Sequence, residues 1–102
     1  MTYRVELTRR AERDLRRLHH DINAKHSGDA RDWFNGLERL IATLDRFPER
    51  GGVTPEDPRL KQLLYGHRPR AYRVIYAINN AQRVVRVVHI RHGARDIMNH
   101  SS

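Results

Sequence analysis

Two runs of β-forming residues near the C-terminus, AYRVIYAI (Ala71–Ile78) and RVVRVVHI (Arg83–Ile90), are separated only by NNAQ. Valine and isoleucine are stiff at χ1 and tyrosine is broad, so these side chains fit a pleated surface, while Asn-Asn is turn chemistry. The pattern predicts a β-hairpin. A hairpin alone is marginal in water, so other elements must cover its apolar face. In the first run Tyr72, Val74, Tyr76 and Ile78 share one face, the natural one to be covered. Arg73 then points to the other face with Ile75 and Ala77. The second run carries apolar residues on both parities, so the pattern alone does not say whether His89 or His92 joins Arg73.

The cover is written upstream. Ala11, Leu15, Leu18 and Ile22 recur at helical spacing behind Thr8, a residue with N-cap chemistry. Ala30, Trp33, Phe34, Leu37, Leu40, Ile41 and Leu44 form a second stripe, with Ser27 or Asp29 to cap it and Pro48 and Gly51–Gly52 to end it. Trp33 lies inside that stripe, so it reads as core packing rather than as a binding aromatic. The short break HSGD (His26–Asp29) predicts an antiparallel helical hairpin. Tyr3–Leu7 reads as a first strand, Pro48–Pro58 as a loop and Leu60–Tyr65 as a strand. The expected architecture is a single α+β domain over 1–102, in β-α-α-β-β-β order. Its mostly antiparallel sheet is packed on one face by the helical hairpin. The opposite face, with Arg73, is expected to be an open basic floor.

Charge is distributed unevenly. Residues 1–58 hold 11 Lys and Arg against 11 Asp and Glu, whereas residues 59–95 hold nine Lys and Arg and no acid. With Asp96, the second part accounts for the whole net charge of +8. Clustered cations raise the local potential and favour polyanions. Arg68, Arg70, Lys61 and Arg91 are the nucleic-acid-binding candidates. The chain lacks cysteine, which excludes disulfides, thiolate metal sites and cysteine nucleophiles and fits a reducing cytoplasm. No apolar run is long enough to span a membrane, and MTYRVELTRR has no signal-peptide stretch. No phosphate loop, dinucleotide fingerprint or HExxH is present, and the seven histidines lack metal-ligand spacing, so no cofactor and no metal are expected.

Arginine and histidine without metal suit RNA cleavage by the RNA's own 2′-hydroxyl. Arginine can hold a phosphorane and histidine can move protons near neutral pH. Glu56 and Asp57 are the acids just ahead of the basic segment, and a carboxylate can serve as base. The same residues could instead solvate a sheet face or bind a protein.

The segment YRVIYAI…RVVRVVHIRHGARD resembles the C-terminal hairpin of the RelE/ParE superfamily, toxins of type II toxin–antitoxin modules. YRVELTRRAERDLRRL is similar to that family's first strand and helix, and LERLIATLDRFPERG to the end of its second helix. The resemblance implies a growth-arresting toxin with a short acidic antitoxin from the adjacent gene as partner. RelE-like members cut messenger RNA in the ribosome, which would place Arg73, Arg95, His92 and Glu56 in a catalytic set. ParE-like members inhibit DNA gyrase and lack a nuclease set. The chain departs from the RelE pattern. Leu64 and Gly66 fall near the places of two lysines, and no tyrosine follows Tyr76. The helical hairpin ending in FPERG is ParE-like. Metal-independent, ribosome-dependent RNA cleavage is the leading expectation, gyrase inhibition the alternative, and a non-toxic nucleic-acid or protein binding module the third.

Overall fold

A computed structural model of the chain describes residues 2–93. Strand β1 (Arg4–Leu7) is followed by helices α1 (Arg9–Asp21) and α2 (Gly28–Ala42). Two single-turn 3-10 segments, Thr43–Asp45 and Pro48–Arg50, lead into β2 (Gly52–Val53), β3 (Lys61–Tyr65), β4 (Tyr72–Asn79) and β5 (Val84–His92). The sheet order is β1-β5-β4-β3-β2. Only β1 and β5 run parallel, and the other neighbours are antiparallel. The α+β class and the element order agree with the sequence expectation, with one strand added. The two-residue β2 lies in the segment expected to be loop, and it is too short to carry a pattern.

Local chemistry explains the helix starts. The Thr8 hydroxyl accepts the Ala11 N–H at 3.1 Å and the Ser27 hydroxyl accepts the Ala30 N–H at 3.3 Å, so Ser27 rather than Asp29 caps α2. Leu15, Leu18, Phe34, Leu37 and Ile41 from the helices share one buried cluster with Val74, Tyr76, Val85, Val87 and Ile90 from the sheet. The His19 ring meets the Phe34 ring edge-on at 4.9 Å and joins the two helices. Trp33 packs edge-on against Tyr65 at 5.0 Å and Tyr72 at 5.6 Å, in the core role its stripe implies.

Tyr76 anchors the centre. Its ring is fully buried, and its hydroxyl donates to the Pro48 carbonyl at 2.6 Å while accepting the Gly51 N–H at 3.1 Å. Residue 51 has to be glycine for this approach. A Cβ there would stand 2.4 Å from the Tyr76 hydroxyl and 2.6 Å from the Gln62 carbonyl oxygen. Burial pushes the Tyr76 phenol above its ordinary range.

A β-bulge decides what each face of β5 carries. Tyr76 pairs with Val87 but Ile75 pairs with His89, so Val88 is an extra residue on β5. The insertion lets Val85, Val87 and Ile90 all face the helices, which accounts for apolar residues on both parities. It also reverses the parity of the strand end. His89 and Arg91 sit opposite Ile75 and Arg73, whereas His92 sits opposite Tyr72 on the helix side. The catalytic set implied by the resemblance would need His92 on Arg73's face, and the register puts His89 there instead. An unbulged strand would have met that need.

β1 stops at Leu7, opposite Val87, while β5 continues to His92. Helix α1 covers the edge left beyond it. Thr8 donates its N–H to the Val87 carbonyl at 3.0 Å and its hydroxyl to the Val88 carbonyl at 3.1 Å. An Asp14 carboxylate oxygen accepts the Ile90 N–H at 3.0 Å. These side-chain bonds satisfy backbone groups that a neighbouring strand would otherwise have to pair.

Candidate functional site

Two groups of arginine lie near the end of the sheet. The first is centred on Arg73. Its Nε donates to Gln62 Oε1 at 2.7 Å, its Nη1 to Glu56 Oε2 at 2.7 Å and its Nη2 to Glu56 Oε1 at 2.6 Å. Gln62 is on β3, beside β4, and pairs with Ile75 on Arg73's face. Glu56 arrives on the 54–60 loop, which folds over this face. Thr54 builds the loop by donating its hydroxyl to the Asp57 carbonyl at 2.8 Å and accepting the Asp57 N–H at 3.1 Å. The Leu60 carbonyl accepts the Thr54 N–H at 2.9 Å. At the loop's exposed rim, the Arg59 guanidinium and backbone N–H hold Asp57 below the usual carboxylate range.

The loop leaves Arg73 only 4% exposed. The expected open floor is thus closed at this position. The sequence offered a run without acids, but folding brings Glu56 onto it. Glu56 and Arg73 do come together, as bidentate ion-pair partners. Three of its five N–H donors go to Glu56 and Gln62 and the side chain is buried, so while Glu56 stays in place the fork that would meet a phosphate is held by a carboxylate.

The remaining sequence candidates scatter. His92 Nε2 lies 2.7 Å from the Pro69 carbonyl oxygen, and its ring meets Tyr72 edge-on at 5.0 Å. Lys61 pairs with Tyr76 in register and donates to the Gly51 carbonyl at 3.1 Å, which gives it a bracing role. Arg91 sits directly opposite Arg73 in the ladder. Arg68 and Arg70 are exposed on the connection between β3 and β4. That connection needs Gly66, whose φ is +84° and whose Cβ would stand 2.2 Å from the Arg70 carbonyl oxygen. Arg95 lies outside the described residues.

The second group lines a groove of about 760 Å³ between α1 and the free end of β5. Arg10, Asp14, Arg17 and Asp21 come from one face of α1, at helical spacing, and Arg70 and Arg91 come from the sheet end. Between them His89 Nδ1 lies 2.5 Å from Asp14 Oδ2, the oxygen that also accepts the Ile90 N–H. Asp14 thereby closes the strand edge and orients the imidazole in one step. An imidazole held by a carboxylate can take up or release a proton at its other nitrogen, and the arginines can hold anionic oxygens.

Sequence reasoning missed Arg10, Asp14, Arg17 and His89. The spacing of Arg10, Asp14, Arg17 and Asp21 was a readable signal for the helix face. Nothing in the pattern placed His89 opposite it, because that depends on the bulge. Among the described residues no group of three or more His, Asp and Glu could hold a metal ion, and no helix is long and apolar enough to cross a membrane.

The profile of the ParE toxin of the type II toxin–antitoxin system parDE matches residues 5–97. None of the curated protein sequences matches the chain. Among solved structures, the toxin–antitoxin complex RelBE2 from Mycobacterium tuberculosis is similar at 22% identity and TM-score 0.66, over 90% of this chain and 99% of that one. The chromosomal ParDE system of P. aeruginosa is similar at 15% identity and TM-score 0.70, over 89% and 96%. A free mutant form of the E. coli toxin RelE is similar at 18% identity and TM-score 0.64, over 97% and 93%. At these identities the structural likeness is one of fold.

Proposed function

Because this chain belongs to the ParE toxin family of type II toxin–antitoxin systems, we propose that it arrests growth by binding and blocking DNA gyrase rather than by cutting messenger RNA. The observation that carries this reading is the state of Arg73. RNA cleavage of the RelE kind would need that guanidinium free for the phosphate, and here it is buried and spent on Glu56 and Gln62. Glu56, the candidate base, is tied up in the same pair. His92, the candidate proton carrier, belongs to the other face of the sheet. The lysine places held by Leu64 and Gly66 point the same way.

A target-blocking toxin needs a stable shape and a complementary surface, and makes no demand on Arg73, Glu56 and His92 to act together. Its partner in the resting cell is a cognate antitoxin, as in the solved RelBE2 complex, which joins a toxin to its antitoxin. The test uses two assays on the purified toxin. Gyrase supercoiling should be inhibited, and primer extension on translated messages should show no new cuts. Discrete cuts with gyrase unaffected would reverse the assignment in favour of ribosome-dependent RNA cleavage.

A further inference from the structure

Helix α1 is 13 residues long and carries five exposed arginines, Arg9, Arg10, Arg13, Arg16 and Arg17. Among the described residues none of the five has a hydrogen-bond or ion-pair partner for its side chain. Arg10 and Arg17 form one wall of the groove beside β5, and Arg70, equally unpartnered among the described residues, stands on the other. Of the helix's three acids, Asp14 is turned inward onto His89 and the Ile90 N–H, Asp21 lines the groove and Glu12 is exposed on the helix. Five exposed arginines against two outward acids leave the potential of the wall positive.

We propose that this groove binds the phosphodiester backbone of a nucleic acid. Unpaired guanidiniums gathered around one cavity repel each other and add nothing to folding, so their arrangement calls for an anion from outside. Guanidinium binds phosphate oxygens through two parallel N–H donors. Arg10 and Arg17 are seven residues apart, a rise of about 10 Å along the helix, so the two can reach different phosphates of one backbone. Arg9, Arg13 and Arg16 continue the ridge past the groove, so a regular polyanion finds a cation at each helical turn. An acidic peptide offers no such regular charge. The Thr8 and Asp14 bonds to β5 hold the wall in place before any ligand arrives, which lowers the cost of binding. The proposal concerns the free toxin and does not depend on the gyrase reading.

The experiment is fluorescence anisotropy of purified toxin with a short labelled DNA duplex and with a labelled RNA strand, across a salt series. Two double variants are compared. R10Q/R17Q removes groove arginines, and R39Q/R46Q removes the same charge from exposed positions elsewhere on the chain. R10Q/R17Q should weaken binding about tenfold or more and reduce the salt slope by about two, given roughly 0.9 per lost phosphate contact. The control should change affinity by less than about twofold. A preference for DNA or for RNA identifies the source of the backbone, and either supports the site. Equal losses in the two variants, absence of salt-dependent binding, or displacement by polyglutamate at matched charge would each overturn it. Circular dichroism of both variants keeps unfolding from being read as lost binding.

Discussion

Arg73 and Arg10 are the same residue type near the same end of the sheet, and they do opposite things. Arg73 is enclosed by β3, β4 and the 54–60 loop, with Glu56 and Gln62 taking its donors. Arg10 stands exposed on α1 with no partner among the described residues. A buried cation is held in place by the oxygens around it, whereas an exposed one contributes to the field that a partner meets. Counting arginines along the chain therefore locates neither the site nor its role. What separates the two is which acid the fold delivers: Glu56 is brought to Arg73, while Asp14 is taken away from Arg10 by His89 and Ile90.

The largest expected effect comes from breaking the enclosed pair. Arg73→Ala removes a buried guanidinium with its bonds to Gln62 and Glu56, and should cost about 3 kcal/mol in a urea melt. A loss below about 1 kcal/mol would show that the pair does not organise the loop.

Next is Tyr76→Phe, which strands the Gly51 N–H and the Pro48 carbonyl in the interior. A loss of about 1–3 kcal/mol is expected in the same assay. Its pH dependence sharpens the point. The phenol titrates higher in the folded state than its ordinary value of 10.0, so its contribution is full below that value. It is lost as pH rises through the folded value. Wild-type stability should fall more steeply above pH 10 than that of the phenylalanine variant, and parallel curves would show that Tyr76 has no such linkage.

Asp14→Ala removes the acceptor for Ile90 N–H and the support of His89. It should cost about 1–2 kcal/mol and speed amide exchange at Ile90, since a half-buried donor loses its partner. Unchanged exchange would mean that α1 does not seal the strand edge. The smallest effect belongs to Arg10→Gln, expected within about 0.5 kcal/mol of wild type.

The sequence revealed the fold through its long periodic segments. The α2 stripe and the β4 alternation carry enough residues for their period to be read, and Thr8 and Ser27 announce helix starts by their chemistry. The site was less legible because it depends on single-residue events. One inserted residue, Val88, moves His89 and Arg91 onto Arg73's face and sends His92 to the other. A loop of ordinary polar composition carries Glu56 back across the sheet, and no local pattern encodes that return. Apolar residues on both parities of β5 were the visible trace of the bulge, but they do not say where the extra residue sits.

The central claim is that Arg73 supports the fold and does not act on RNA. Growth arrest by the double variant Arg73→Met, Glu56→Leu tests it most directly, because a buried ion pair can often be replaced by apolar residues of similar size without loss of stability. Once a thermal melt has established folding, induction of this variant should stop growth as the wild-type toxin does. A folded variant that no longer arrests growth, together with messenger RNA cuts seen only with the wild type, would contradict the account.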